Sequence, residues 1–165
     1  MTKFSTSTHN NLTDIVVEHI NNLLKKYKIN KSKIKKIFVT IGPGSFTGVR
    51  VGILIAKTWS LINRTHIYII DSLWLQLPKN SGLSILDARG TMVYVAVYKN
   101  RKCIMKPTII TEQKAELLIK TYKNLGVYIQ YKSVNVFDNL IHHLHDFTLV
   151  RNINTLIPLY VKKAV

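Results

Sequence analysis

The sequence predicts an α/β protein of two lobes, and three observations carry that prediction. A β-favouring apolar run, a glycine turn and a long helix follow one another between Lys36 and Asn63. Alternating strands crowd together between Leu83 and Met105 in the pattern of a β-meander. Between these blocks, Pro78-Lys79-Asn80-Ser81-Gly82 is built of turn residues and marks a boundary, dividing the chain into lobes 1–78 and 79–165.

Met1 to Asn10 is a polar lead without the apolar core of a signal peptide. A first helix is expected over Asn11 to Tyr27, capped by Asn11 or Thr13, with Asp14 favourable in its first turn. Its apolar residues sweep an arc of roughly 200°, wider than the stripe of about 100° that one core requires. Lys31 to Lys36 is a solvated basic turn. Ile37, Phe38, Val39 and Ile41 then form a short strand, stopped by Gly42, Pro43 and Gly44. Ser45 or Thr47 can cap the helix from about Thr47 to Asn63.

That second helix has an unusual composition. Gly48, Gly52, Ala56 and Ser60 fall four apart and make a stripe of very small side chains. A glycine costs roughly 1 kcal/mol in a helix interior, so two of them imply close approach of another backbone. Apolar residues cover nearly every other direction, leaving only Arg50, Lys57 and Arg64 as a narrow polar line. A helix apolar all round is buried on more than one side. We therefore expect one side to meet a partner protein, with Leu12, Val16 and Ile20 of the first helix and Val49, Gly52, Ile53 and Ala56 of the second forming the interface.

The remaining elements read in order. Ile67 to Ile70 is a strand, and Asp71-Ser72 cap a short helix over Leu73 to Leu77. Leu83 to Asp87, Thr91 to Tyr98 and Lys102 to Met105 form the meander. Asp87 and Arg89 are expected to pair across its first turn. Thr111 caps a helix through Lys120, Val127 to Gln130 is a strand, and Asn139 to His145 a short helix. His142, His143 and His145 are read as surface residues, because no carboxylate or cysteine completes a metal set, and His9 and His19 as cap or surface residues. The apolar tail from Ile153 to Tyr160 is expected to dock back on a lobe, with Lys162 and Lys163 beyond it.

Composition narrows the function classes. Nearly half the residues are hydrophobic, enough for a real core, and no apolar run approaches the ~20 residues that cross a bilayer. A single cysteine, Cys103, excludes an internal disulfide and suits a reducing cytosol. The net charge of +16 fits a nucleic-acid partner, but a Lys-, Asn- and Ile-rich background with scattered lysines accounts for it better. The loop Gly42 to Gly48 lacks the Gly-Lys-Ser/Thr of a Walker loop and fails the dinucleotide fingerprint. Only eight acidic residues exist, none in a known catalytic spacing, and no Ser-His-Asp set is readable.

Gly42-Pro43-Gly44-Ser45-Phe46-Thr47-Gly48, followed by Val49-Arg50-Val51-Gly52 and Ala56-Lys57, resembles the signature of the TsaB (YeaZ-like) family. Other points agree in order: His9 before the first helix, Asp71-Ser72-Leu73, Asp87-Ala88-Arg89 leading into Val93-Tyr94, and Pro158-Leu159-Tyr160. That family is a subunit of the bacterial machinery that makes threonylcarbamoyladenosine in tRNA. The resemblance implies an ASKHA-type (actin-like ATPase, RNase H-like) lobe joined to a smaller mixed α/β lobe. It implies a non-catalytic, cytoplasmic scaffold that binds the catalytic subunit TsaD, with the ATPase TsaE in the same complex and tRNA as the complex's substrate. ATP and metal would belong to those partners, and this chain would carry no cofactor of its own. One departure stands out: Ser5-Thr6-Ser7-Thr8 lacks the Asp of the family's Asp-Thr-Ser-like loop, and too few residues precede it for the first strands. The helical His pair of the related catalytic family, with three residues between, is missing as well. The competing readings are a nucleotide-binding hydrolase or peptidase, a basic tRNA-binding module, and a homodimer through the same two helices.

Overall fold

The computed structural model describes residues 12–161. The expected polar lead, His9, Lys162 and Lys163 lie outside the described residues, as do the side chains of Leu12, Thr13 and Asp14. Helix α1 (Leu12–Lys26) is followed by a 3-10 turn, strand β1 (Lys36–Thr40), helix α2 (Phe46–Asn63) and strand β2 (His66–Ile70). The short helix α3 (Ser72–Leu75) leads into β3 (Gly82–Asp87), β4 (Met92–Lys99) and β5 (Lys102–Thr111). Helix α4 (Glu112–Thr121), strand β6 (Val127–Ile129), helix α5 (Val136–His142) and strand β7 (Thr148–Leu149) complete the order. None of the described helices is long and apolar enough to cross a membrane.

Two sheets result. The first has the order β1-β2-β7, with β1 and β2 parallel and β7 antiparallel to β2. The parallel pair needs a crossover, and α2 supplies it. The second sheet has the order β5-β4-β3-β6, the expected meander plus β6 parallel to β3. Strand β5 runs to Thr111, well past the expected stop at Met105. It tolerates Pro107 because it lies at the sheet edge, where a missing N–H costs no ladder bond. The tail returns to the first sheet: Val150 N–H donates to Ile67 O at 2.9 Å, and Leu156 is buried with Ile53, Ala56 and Ile67. Strand β7 was not expected, since two residues are too few to show a period.

The small-residue stripe on α2 is turned inward. A Cβ on Gly52 would sit 3.3 Å from Val39 Cγ2 of β1, and Ala56 is wholly buried in the same core. The backbone that approaches closely is this chain's own strand. Caps follow the sequence: the Ser45 hydroxyl accepts from Gly48 N–H at 3.2 Å, the Asp71 carboxylate from Leu73 and Trp74 N–H at 2.6 and 3.1 Å, and the Thr111 hydroxyl from Lys114 N–H at 3.3 Å.

A buried polar network ties α3 to the second sheet and to α5. Gln76, fully buried, donates from Nε2 to Ser84 Oγ at 2.6 Å and to Tyr128 O at 3.0 Å, while its Oε1 accepts Tyr131 N–H at 2.6 Å. Tyr131 donates its hydroxyl to Ser72 O at 2.6 Å, and Asn139 Nδ2 donates to Leu75 O and Gln76 O at 3.0 and 2.9 Å. His143 is not the surface residue expected. It is fully buried, with Nε2 2.7 Å from Leu77 O and Nδ1 2.7 Å from Asp146 Oδ2. Only its neighbours His142 and His145 face solvent. Asp146 also accepts from Trp74 Nε1 at 3.1 Å and from Arg101 at 2.5 Å. Burial pushes the Asp146 carboxyl up, but the hydrogen bonds from His143, Arg101 and Trp74 together hold it below the usual carboxylate range.

Two outcomes follow from this packing. Gly52→Leu must overpack the α2–β1 contact, so denaturant unfolding should show a loss of about 1–3 kcal/mol without any partner present. The Asp146 contribution is complete above the unfolded carboxyl pKa of about 3.9 and fades as pH falls through the lower folded value. Asp146→Asn should therefore destabilise the protein by about 2 kcal/mol at pH 7 and flatten the acid limb of a melting-temperature profile below pH 4. An unchanged acid limb would show that the carboxylate does not carry this linkage.

Candidate functional site

Two surfaces compete for the functional role, and α2 contributes to both. The first is a cleft of about 580 Å³ between the Gly42–Gly48 loop and the β3–β4 turn. The loop is held from both sides: Ser72 N–H donates to Gly42 O at 2.8 Å, and Leu159 N–H of the tail donates to Ile41 O at 2.8 Å. Gly42 has φ +100°, where a side chain would be strained, and the Gly42–Pro43 peptide is cis. Ser45, Phe46, Gly48 and Val49 line one wall, and Asp87, Ala88 and Arg89 the other. The expected Asp87–Arg89 ion pair is replaced by a tighter turn, in which the Asp87 carboxylate accepts the Arg89 backbone N–H at 2.8 Å. Among the described residues, Asp87 is the one carboxylate lining the cleft, and no lysine or histidine lines it. The described walls therefore hold no acid–base pair of the kind hydrolysis uses.

The second surface lies between α1 and α2. The structure divides the expected interface residues. Val16 and Ile20 are half-buried on α1, and Leu12 belongs to the residues whose side chains are not described. Ile53 at 5% exposure and Ala56 at 0% are covered by the chain's own first sheet, Gly52 faces Val39, and Val49 packs against the same core. Ile53 and Ala56 are thus unreachable for a partner, because the small-residue face of α2 is the face that meets β1. The exposed apolar side chains sit elsewhere on the helix: Leu54, Leu61 and Ile62 are 60%, 69% and 74% exposed. Leu54 and Ile62 line an apolar groove of about 470 Å³ whose walls also include Val17, Ile20, Ile55 and Trp59. Trp59 Nε1 is buried there without a hydrogen-bond partner.

The signature residues Phe46 and Arg50 occupy one turn of α2. The Arg50 guanidinium lies 3.8 Å from the centroid of the Phe46 ring, and its Nη2 donates to Tyr160 Oη at 3.1 Å. The start of α2 and the tail motif Pro158-Leu159-Tyr160 are therefore one structural unit, which explains why both stand out in the sequence.

A family model described as "TsaD: tRNA N6-adenosine threonylcarbamoyltransferase" matches residues 6–150. The chain belongs to this family. Within it the protein is TsaB/YeaZ-like. It is 33% identical over 157 residues, 94% of its own length and 79% of the relative's, to a Mycoplasma pneumoniae protein named "Uncharacterized protein MG208 homolog". It is 33% identical over 95 residues to the tRNA threonylcarbamoyladenosine biosynthesis protein TsaB of Bacillus subtilis, covering 54% of this chain and 42% of that one. The solved structure of YeaZ from Pseudomonas aeruginosa superposes with a TM-score of 0.66 at 13% identity, over 90% of this chain and 84% of that one. The mixed α/β fold of two sheets is therefore one that this chain shares with YeaZ.

Since Arg50 joins α2 to the tail, Arg50→Ala should free the segment around Tyr160. Limited proteolysis should cut after residue 156 faster than in the unchanged protein, with a stability loss of about 1 kcal/mol.

Proposed function

We propose that this chain is a non-catalytic subunit of a complex that forms threonylcarbamoyladenosine in tRNA, and that it binds a TsaD-type catalytic protein through the α1–α2 groove. The observation that carries the reading is the pair of exposed apolar side chains, Leu54 and Ile62, that line that groove. A contiguous apolar hollow of this kind is what a docking surface offers. The TsaB relatives supply the reaction: they are named tRNA threonylcarbamoyladenosine biosynthesis proteins. A TsaE-type ATPase joins the same complex, which works in the cytoplasm with tRNA as its substrate, and ATP and metal are held by the partners. This chain contributes by ordering the catalytic subunit, as a protein that binds only the competent state of its partner must.

Purified chain mixed with the TsaD-type protein of the same organism should co-elute in size-exclusion chromatography. Leu54→Asp together with Ile62→Asp should weaken the complex by at least about 100-fold, because two charges would be buried in an apolar contact. Both positions are exposed in the free chain, so its melting temperature should stay nearly unchanged. Failure to co-elute would remove the reading. ATP or peptide turnover by the isolated chain that disappears in Ser45→Ala would establish the hydrolase reading instead. Tight, salt-sensitive tRNA binding without any protein partner would establish the RNA-binding module.

A further inference from the structure

Lysines that look scattered in the sequence are gathered by the fold. Seven of the twelve residues from Lys25 to Lys36 are lysines, and all seven are exposed. Much later in the chain, Arg64 and His66 are exposed as well. The first sheet brings the two stretches together. The Thr65 hydroxyl donates to Ile34 O at 3.0 Å, and His66 N–H donates to Lys35 O at 2.9 Å. Lys36 stands opposite His66 at the head of the parallel β1–β2 register. Lys31 lines the same groove as Asn63, the last residue of α2. Helices α1 and α2 thus both end at one pole, where β1 and β2 both begin. The lysine turn is ordered: Asn30 Oδ1 accepts from Ser32 N–H at 3.0 Å and from the Ser32 hydroxyl at 2.9 Å, and Ile34 N–H donates to Lys31 O at 3.2 Å. Lys28 and Arg64 both have φ +52°, a left-handed conformation that glycine or asparagine adopts with less strain. No Asp or Glu lies between Glu18 and Asp71 in the chain, and among the described residues neither these lysines nor Arg64 form an ion pair. The negative ends of two helix dipoles amount to about one elementary charge. Seven lysines and Arg64 bring eight. A lysine-rich background accounts for how many lysines the chain has. It does not account for their meeting Arg64 at one pole with no carboxylate among them.

We propose that this pole is a surface for the phosphate backbone of RNA, and that in the complex it holds part of the tRNA substrate. The choice of RNA rests on the tRNA-modification reading above. The residue types favour it over a protein. Lysine is depleted at protein–protein interfaces, where arginine and aromatic side chains carry the contact, and this pole has seven lysines to one arginine. A lysine ammonium is a point charge on a flexible stem, which suits neutralising successive phosphates and releasing their counterions. Tyr27 is 47% exposed, with Lys26 Nζ 5.7 Å from its ring centroid, and offers a face on which an unpaired base can stack. An anionic membrane would meet the same charge, but the TsaB relatives are named for a tRNA product. Contacts of this kind position the RNA and read no sequence.

The full chain is titrated into a fluorescently labelled tRNA transcript between about 50 and about 300 mM salt, with anisotropy as the readout. Binding should be micromolar at about 100 mM salt, as sequence-independent phosphate contact gives. Lys31→Gln, Lys33→Gln and Lys35→Gln combined should weaken it at least about 10-fold there and reduce the slope of log affinity against log salt by about 2. Arg64→Gln alone should reduce the slope by about 0.7, because Arg64 joins the pole from another part of the chain. Lys114→Gln, Lys120→Gln and Lys123→Gln, the same charge change in and just after α4, should weaken binding less than about 3-fold. All these side chains are exposed, and relieving like charges should leave the melting temperature of the pole variant no lower than that of the unchanged chain. No binding by the unchanged chain at about 50 mM salt, or equal losses in the two triple variants, would overturn the proposal. Vesicles of phosphatidylserine and phosphatidylcholine that bind the chain more tightly than tRNA, with the same loss in the pole variant, would overturn it in favour of a membrane surface. Intact tRNA binding in the pole variant with lost co-elution of the TsaD-type protein would overturn it in favour of an acidic protein. The titration needs no TsaD-type protein, so failed co-elution of the unchanged chain removes the docking reading and leaves the RNA surface standing.

Discussion

The structure depends on satisfying the carbonyls of one short helix. Helix α3 has four residues, too few to satisfy its own last carbonyls, and its end is buried between the sheets. Side chains from far along the chain therefore complete it: Tyr131 on Ser72 O, Asn139 on Leu75 O and Gln76 O, His143 on Leu77 O. Gln76 works in the opposite direction, reaching Ser84 and Tyr128 of the second sheet. A buried acceptor deprived of its donor costs about 1–3 kcal/mol, a large share of a small domain's margin. These directional bonds tie α3 to the second sheet and to α5, and Ser72 N–H also holds Gly42 O of the signature loop.

What the sequence made legible was local. The strand, turn and α2 could be read because a β-favouring run, two glycines and a capping serine occupy adjacent positions. The caps at Asp71 and Thr111 were legible for the same reason. The network around α3 was not. Gln76 lies in a stretch that reads as the approach to a linker, and Asn139 and His143 lie on a short helix that reads as surface. Asn139 and His143 find backbone partners more than sixty residues away, and Gln76 reaches Tyr128 and Tyr131 more than fifty residues on; no period of hydrophobicity records such contacts.

The face that α2 turns to solvent differs from the one its small-residue stripe suggests, and the cause is physical. A stripe of glycine and alanine signals close approach, but not by what. Here strand β1 approaches, so Gly52 and Ala56 belong to the core. A helical wheel already held the better signal. Leu54 and Leu61 lie only about 40° and 20° around the helix from Arg50, beside the polar line that must face water. Apolar residues next to such a line are the ones a folded monomer leaves exposed, and both are exposed here.

Helix α2 also connects the two surfaces. Its first turn caps the signature loop through Ser45 and anchors the tail through Arg50, while its second half, from Leu54 to Ile62, borders the groove. Eighteen residues make a rod of about 27 Å with continuous backbone hydrogen bonds. Such a rod transmits position with little loss, because bending it sharply would break its own ladder. A protein that grips the groove end thereby constrains where the loop end sits relative to Asp87 and Arg89 across the cleft.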